Sequence, residues 1–189
     1  MRRPIVTATS LLPLLIAALA LFTHFKLLVR DISDLARGGD GEVLRGKVVH
    51  VADGDTIDVA VRERTVRVRL LGIDTPESVR PGTPVECGAK EASAFTKHLL
   101  LDKEVRVVPD HTQDAVDRYG RHLGYVYLID NDRITVQEMI LRAGVGRVYV
   151  FRHRPFTKYL AFQKAEHYAK THTLGAWSKC QGDFHSSMR

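Results

Sequence analysis

Alternating apolar and polar positions predict that much of this chain forms β-strands. Two segments rich in β-branched residues, VLRGKVVHVADGDTIDVAV (43–61) and RTVRVRLLGI (64–73), alternate with a period of two, which is typical of paired strands. The segments EVRVVPD (104–110) and RHLGYVYLI (121–129) have the same character. Together these segments predict a small sheet or barrel.

Helical periodicity predicts three helices between these strands and after them. They are AKEASAFTKHLL (89–100), TVQEMILRAG (135–144) and KYLAFQKAEHYAKTH (158–172). In the first helix, positions 92, 95, 96 and 99 fall on one face, and Gly144 can terminate the second. Short strands followed by interleaved helices indicate an α+β fold.

An apolar segment at the amino end predicts a membrane anchor or a signal peptide. Arg2 and Arg3 precede a run from Ile5 to Phe25 that contains no Asp, Glu, Lys or Arg, about the length needed to cross a bilayer. The tripeptide ALA at 18–20 has the spacing of a signal peptidase site, but the apolar run continues beyond it, which favours an uncleaved anchor. One transmembrane or signal helix is therefore expected before the folded domain.

Composition indicates one globular domain with a basic surface. The chain has 189 residues, of which 44% are hydrophobic and 26% charged, and a formal net charge of +6. These values suit a compact domain and an anionic partner such as nucleic acid or a membrane surface. The predicted organisation is an anchor or signal at 1–30, a polar linker at 31–41, the folded domain at 42–180 and a tail at 181–189.

Two clusters of carboxylates follow predicted strands. In DGDTI (53–57), the Asp-Gly-Asp sequence that ends at Asp55 has the composition of an ordinary hairpin turn. In RVRLLGIDTPE (67–77), Asp74 and Glu77 flank a Thr-Pro pair, and the proline stiffens the loop. Neighbouring carboxylates repel one another unless a cation lies between them, and their oxygens suit a divalent ion such as Ca²⁺.

Five separated motifs resemble those of the staphylococcal nuclease, or thermonuclease, family in order and spacing. They are DGDTI, RLLGIDTPE, CGAKEASAFTK, DRYGRHLGYVY and LGAWS, all between Leu44 and Ser178. The resemblance implies an OB-type five-stranded β-barrel with about three helices. It also implies a calcium-dependent nuclease that hydrolyses phosphodiester bonds of DNA and RNA with little sequence specificity. Magnesium is the less favoured ion.

The resemblance also assigns roles to individual residues. The implied calcium ligands are the carboxylates of Asp55 and Asp74 and the backbone carbonyl of Thr75. The implied catalytic residues are Glu77, which deprotonates the attacking water, and Arg69 and Arg121, which clamp the phosphate. A guanidinium group suits this role because it offers two parallel donors to phosphate oxygens. Considered singly, either arginine would be an ordinary solvated strand residue.

The implied substrate-binding residues are Arg118, Tyr119 and Tyr149. The two tyrosines match aromatic positions that line the family's nucleotide pocket, whereas Phe151 replaces a second tyrosine there. Ordinary barrel packing is the alternative for both tyrosines. The histidines show no metal-ligand spacing backed by cysteine, so zinc chemistry is not expected.

Cys87 and Cys180 are expected to form a disulfide. In the family fold, the helix that starts after Cys87 and the carboxy-terminal tail lie on the same side of the molecule, and an exported chain favours pairing. Two unpaired thiols are the alternative.

The leading segment also predicts where the protein acts. We expect a monomer in the cell membrane, single-pass with the domain outside the cytoplasm, or a secreted protein if the segment is cleaved. Its expected partners are DNA and RNA as substrates and the membrane through the N-terminal helix. A catalytically weak nucleic-acid-binding OB module and an accessory membrane protein are the alternatives.

Overall fold

A computed structural model describes residues 41–77 and 85–185 of the chain. The strands are β1 (Leu44–Asp53), β2 (Thr56–Val61), β3 (Arg64–Leu70), β4 (Ile73–Asp74), β5 (Glu104–Val108), β6 (His122–Leu128) and β7 (Arg147–Val148). Every predicted strand segment contains a strand of the structure. None of the described helices is long and apolar enough to cross a membrane, and the predicted anchor from Ile5 to Phe25 lies outside the described residues.

Five of the strands close into a barrel in the order β1-β2-β3-β6-β5, and β4 and β7 form a separate antiparallel pair. Within the barrel, β3 and β6 are parallel and the other pairs are antiparallel. Alternation sets the two faces of β3, where Val66, Val68 and Leu70 are buried and Arg67 is exposed. The closed barrel confirms the predicted five-stranded, OB-type α+β fold.

Four α-helices lie in the described part of the chain, one more than predicted. They are α1 (Ala89–Leu100), α2 (Val136–Arg142), α3 (Tyr159–Thr171) and α4 (Ala176–Lys179). Thr135 and Glu138 form a capping box at the start of α2, and Gly144, with φ of 74°, follows its end. The fourth helix is a single turn, which is too short to show helical periodicity in the sequence.

The main core fills the barrel and extends under α2 and α3. Its fully buried members include Val48, Ile57, Val59, Val68, Leu70, Ile140 and Phe162. A smaller apolar cluster forms where the tail folds back, from Ala176, Cys180 and Phe184, with Trp177 and Cys87 packed against it. This second cluster fixes the carboxy-terminal residues against the start of α1.

A disulfide between Cys87 and Cys180 links the start of α1 to the tail. The bond confirms the predicted pairing. Phe184, which is 1% exposed, packs on Trp177 with their ring centroids 4.8 Å apart. Covalent and apolar contacts therefore hold the tail in place.

Replacing both Cys87 and Cys180 by alanine is expected to destabilise the fold. The bond joins residues 93 apart, so it restricts the unfolded chain strongly, and the loss should lie between about 2 and 5 kcal/mol. Urea unfolding of oxidised wild type and variant measures the difference. Wild type in reductant is the matched control and should resemble the variant. A difference below about 1 kcal/mol would show that the bond does not constrain the unfolded chain as the entropy model requires.

Candidate active site

Two carboxylates from distant parts of the sequence meet at one guanidinium group. Nη2 of Arg69 lies 3.0 Å from Oδ2 of Asp55 and 3.3 Å from Oδ1 of Asp74. Nη1 donates to the carbonyl oxygens of Leu70, at 3.0 Å, and Ile73, at 2.9 Å. Four contacts therefore fix the guanidinium, whose side chain is only 16% exposed.

The barrel register explains why these groups meet. Arg69 pairs with Thr56 across β2 and β3, so it lies beside the turn that carries Asp55. The short connection from β3 to β4 then brings Asp74 back to the same edge. Gly54 allows the turn to pack closely, since a Cβ there would lie 2.6 Å from Oγ1 of Thr75. The Asp-Gly-Asp sequence is thus both a hairpin turn and part of the site.

Asp55 is buried and fully hydrogen-bonded. Its Oδ2 accepts from the backbone nitrogen and Oγ1 of Thr75, at 3.0 and 3.2 Å, and its Oδ1 accepts from Oγ1 of Thr56 at 3.1 Å. Burial raises the pKa of the Asp55 carboxyl from 3.8 to about 6, against the opposing effect of the Arg69 guanidinium. Burial therefore disfavours the charged form of the Asp55 carboxyl more than the Arg69 guanidinium favours it.

An NMR titration of the Asp55 carboxyl carbon, without divalent cations, is expected to have a midpoint near 6. Because the folded-state pKa exceeds the unfolded value of 3.8, this carboxyl binds more protons in the folded state between those values. Its contribution to stability is therefore most favourable below pH 3.8 and declines as the pH rises through 6. Asp55→Asn should remove this part of the pH dependence. A midpoint at or below 3.8 would contradict the effect of burial.

Asp74 also contacts Arg147 and His185, two residues that the sequence analysis did not identify as part of the site. Its Oδ2 accepts from Nε and Nη2 of Arg147 at 3.2 and 3.0 Å, and Arg147 lies directly opposite Asp74 in the β4 and β7 pair. Nε2 of His185 lies 3.4 Å from the same oxygen. Nothing in the sequence distinguishes Arg147 from an ordinary strand arginine, and His185 lies beyond the segment that carries the resemblance.

Glu77 follows these residues on a loop that is held by Glu86. The backbone nitrogen of Glu77 donates to Oε2 of Glu86 at 2.7 Å, and the backbone nitrogen of Glu86 donates to the Glu77 carbonyl at 3.1 Å. Two hydrogen bonds therefore join Glu77, two residues after Thr75, to Glu86. Residues 78–84 lie outside the described residues.

Arg118, Tyr119 and Arg121 form a second group on the loop before β6. The guanidinium carbons of Arg118 and Arg121 lie 4.7 and 5.3 Å from the centre of the Tyr119 ring, and that tyrosine is 67% exposed. Arg121 forms an ion pair with Asp117 at 2.7 Å and not with Asp55 or Asp74. The register of β3 and β6 relates this second group to the carboxylates around Arg69, because Leu123, two residues after Arg121, pairs with Arg69.

Tyr149 lies beside the carboxylate group and is not part of the barrel core. Its backbone nitrogen donates to the Gly72 carbonyl at 3.0 Å, next to the β4 strand that carries Asp74. Tyr149 is 42% exposed and Tyr119 is 67% exposed. The structure therefore excludes the alternative in which these tyrosines fill the barrel.

The donor set suits a hard cation. Within residues 41–77 and 85–185, no group of three or more His, Cys, Asp or Glu residues is arranged to hold a metal ion. Asp55 and Asp74 instead supply two carboxylates whose oxygens face the same guanidinium nitrogen. Such oxygen donors, completed by water, fit Ca²⁺ better than an ion that requires nitrogen or sulfur ligands.

Comparisons with known proteins identify the class of this barrel. Residues 67–179 match the family model described as Staphylococcal nuclease homologue. The chain is 38% identical over 133 residues to a thermonuclease of Staphylococcus hyicus, an alignment that covers 70% of this chain and 75% of that protein. It is 40% identical over 128 residues to the SPbeta prophage-derived endonuclease YokF of Bacillus subtilis (strain 168), covering 67% of this chain and 42% of YokF.

A third relative extends the comparison. An uncharacterized protein of Bacillus anthracis is 42% identical over 139 residues, covering 72% of this chain and 62% of that protein. The chain thus spans less than two thirds of this relative and of YokF. Because the family model covers more than half of the chain, the chain belongs to the staphylococcal nuclease family.

Proposed function

We propose that the protein is a calcium-dependent nuclease that hydrolyses phosphodiester bonds of DNA and RNA with little sequence specificity. The observation that carries this proposal is the convergence of Asp55 and Asp74 on Arg69. Relatives named thermonuclease and endonuclease support the same activity. A basic chain, with a formal net charge of +6, suits a polyanionic substrate.

Asp55, Asp74 and the Thr75 carbonyl would hold the calcium ion, which supplies positive charge beside the reacting phosphate. Glu77 accepts a proton from the attacking water, whose oxygen bonds to phosphorus as the bond to the leaving oxygen breaks. Arg69 and Arg121 donate to the phosphate oxygens as charge develops on them.

Exposed aromatic rings give the substrate a second kind of contact. Tyr119 lies against the side chains of Arg118 and Arg121, and Tyr149 is exposed beside the carboxylate group. Bases can stack on such rings whatever their identity, and phosphate contacts carry no base information. Weak sequence preference follows from this combination.

Incubating the full-length protein with DNA and RNA of random sequence, with Ca²⁺ present, tests the proposal. We expect both nucleic acids to be degraded, with cleavage sites spread over all sequences. Shifted mobility without degradation would instead support a nucleic-acid-binding OB module. A sharp consensus at the cleavage sites would contradict the proposed contacts.

We also propose that the domain acts outside the cytoplasm as a monomer, tethered by residues 5–25 or secreted. The disulfide between Cys87 and Cys180 supports this location, because such bonds persist mainly in oxidising compartments. Protease added to intact cells is expected to remove a tethered domain, with a cytoplasmic enzyme as the control that survives. Loss of the domain only after lysis would contradict the topology.

A further inference from the structure

We infer that the carboxy-terminal segment 180–185, here called the tail brace, positions the active-site carboxylates through His185. This inference rests on the proposed function, because it assigns a role toward the same calcium site. His185 lies at the end of the described chain, and both of its ring nitrogens face acidic groups of the site.

One imidazole ring connects two parts of the site. Nδ1 of His185 lies 3.0 Å from Oε1 of Glu86, and Nε2 lies 3.4 Å from Oδ2 of Asp74 and also contacts Arg147. The other oxygen of Glu86 accepts from the backbone nitrogen of Glu77 at 2.7 Å. His185 therefore links the implied metal ligand Asp74 to the residue that holds the backbone of Glu77.

The disulfide at Cys180 and the buried side chain of Phe184 hold the tail brace in place. Cys180 is bonded to Cys87, the residue directly after Glu86, so one covalent link anchors the histidine-bearing segment and its acidic partner. Phe184, immediately before His185, is 1% exposed. The backbone nitrogen of His185 also donates to Oδ1 of Asp183 at 3.1 Å. The position of the ring is thus determined by the fold of the tail.

Groups that orient a metal ligand from outside the coordination shell typically change metal affinity or activity by about 10- to 100-fold when removed. His185 is such a positioning residue, since it contacts the ligand carboxylate and not the reacting atoms. Its side chain is 47% exposed, so its replacement leaves the buried core intact. Its loss should weaken calcium binding and lower kcat while leaving KM nearly unchanged.

Calorimetric titration of the full-length protein with Ca²⁺, without substrate, tests this role. We expect His185→Ala to weaken calcium binding about 10-fold or more, and His172→Ala, an exposed histidine stacked on Tyr168, to leave it unchanged. His185→Gln, which places an amide near the Nε2 position, should restore part of the affinity. Equal affinity in wild type and His185→Ala would overturn the inference.

The disulfide provides a second test of the tail brace. In a protein with both cysteines replaced by alanine, calcium affinity should already be reduced, and His185→Ala should add little further loss. An undiminished effect of His185→Ala in that background would show that the bond does not position the ring. Kinetic assays distinguish failure of this inference from failure of the proposed function. If wild type cleaves DNA and His185→Ala matches it in calcium affinity and kcat, the inference fails alone. If wild type neither binds Ca²⁺ nor cleaves, both fail.

Discussion

Lysine in place of Arg69 is expected to lower kcat by about two to three orders of magnitude. The guanidinium makes contacts through two separate nitrogens, one to backbone carbonyls and one to Asp55 and Asp74. A lysine ammonium has a single nitrogen and cannot reproduce this arrangement. The substitution would therefore disturb the carboxylates and also weaken phosphate binding in the transition state.

The matched control for this variant is Arg67→Lys on the same strand. Arg67 is exposed and pairs with Asp58 on the outer surface of the barrel, with Nε 2.8 Å from Oδ1, so kcat should remain close to that of wild type. Initial rates on a fluorescent oligonucleotide measure both variants. A near-normal rate for Arg69→Lys would remove Arg69 from the catalytic residues.

Glutamine in place of Glu77 is expected to lower kcat by about two to four orders of magnitude with little change in KM. The amide cannot accept the proton of the attacking water. Backbone hydrogen bonds to Glu86 hold the Glu77 main chain, so the substitution should not move the loop. The substitution leaves Arg69 and Arg121, the proposed phosphate ligands, unchanged, so substrate binding should be preserved.

Steady-state kinetics and binding to an uncleavable phosphorothioate strand separate these effects. Glu63→Gln, at an exposed turn between β2 and β3, is the control and should behave like wild type. Comparable losses of turnover and binding in Glu77→Gln would argue against a role as general base.

Local sequence patterns were sufficient to predict most of the fold. The four segments with period-two alternation contain the five barrel strands, and the helix predicted at 89–100 has the observed bounds of α1. The strands β4 and β7 have two residues each, too few for any periodicity, so their pairing could not be predicted. The extra helix α4 escaped prediction for the same reason.

The candidate site, like the fold, could be predicted only in part from the sequence. The structure brings Asp55, Asp74 and Arg69 together as the motifs imply. Arg147 and His185 also contact Asp74, but their positions depend on the β4 and β7 register and on the folded tail. Such contacts arise from tertiary structure, and no spacing in the sequence encodes them.

The dependence of hydrolysis on Ca²⁺ decides whether the protein is a calcium-dependent nuclease. The full-length protein is assayed on single-stranded DNA with Ca²⁺, with excess EGTA, with EGTA followed by surplus Ca²⁺, and with EGTA plus Mg²⁺. We expect rapid hydrolysis in the first condition, loss of activity by orders of magnitude in EGTA, full recovery with surplus Ca²⁺ and little recovery with Mg²⁺. An unchanged rate in EGTA would contradict the proposed calcium dependence.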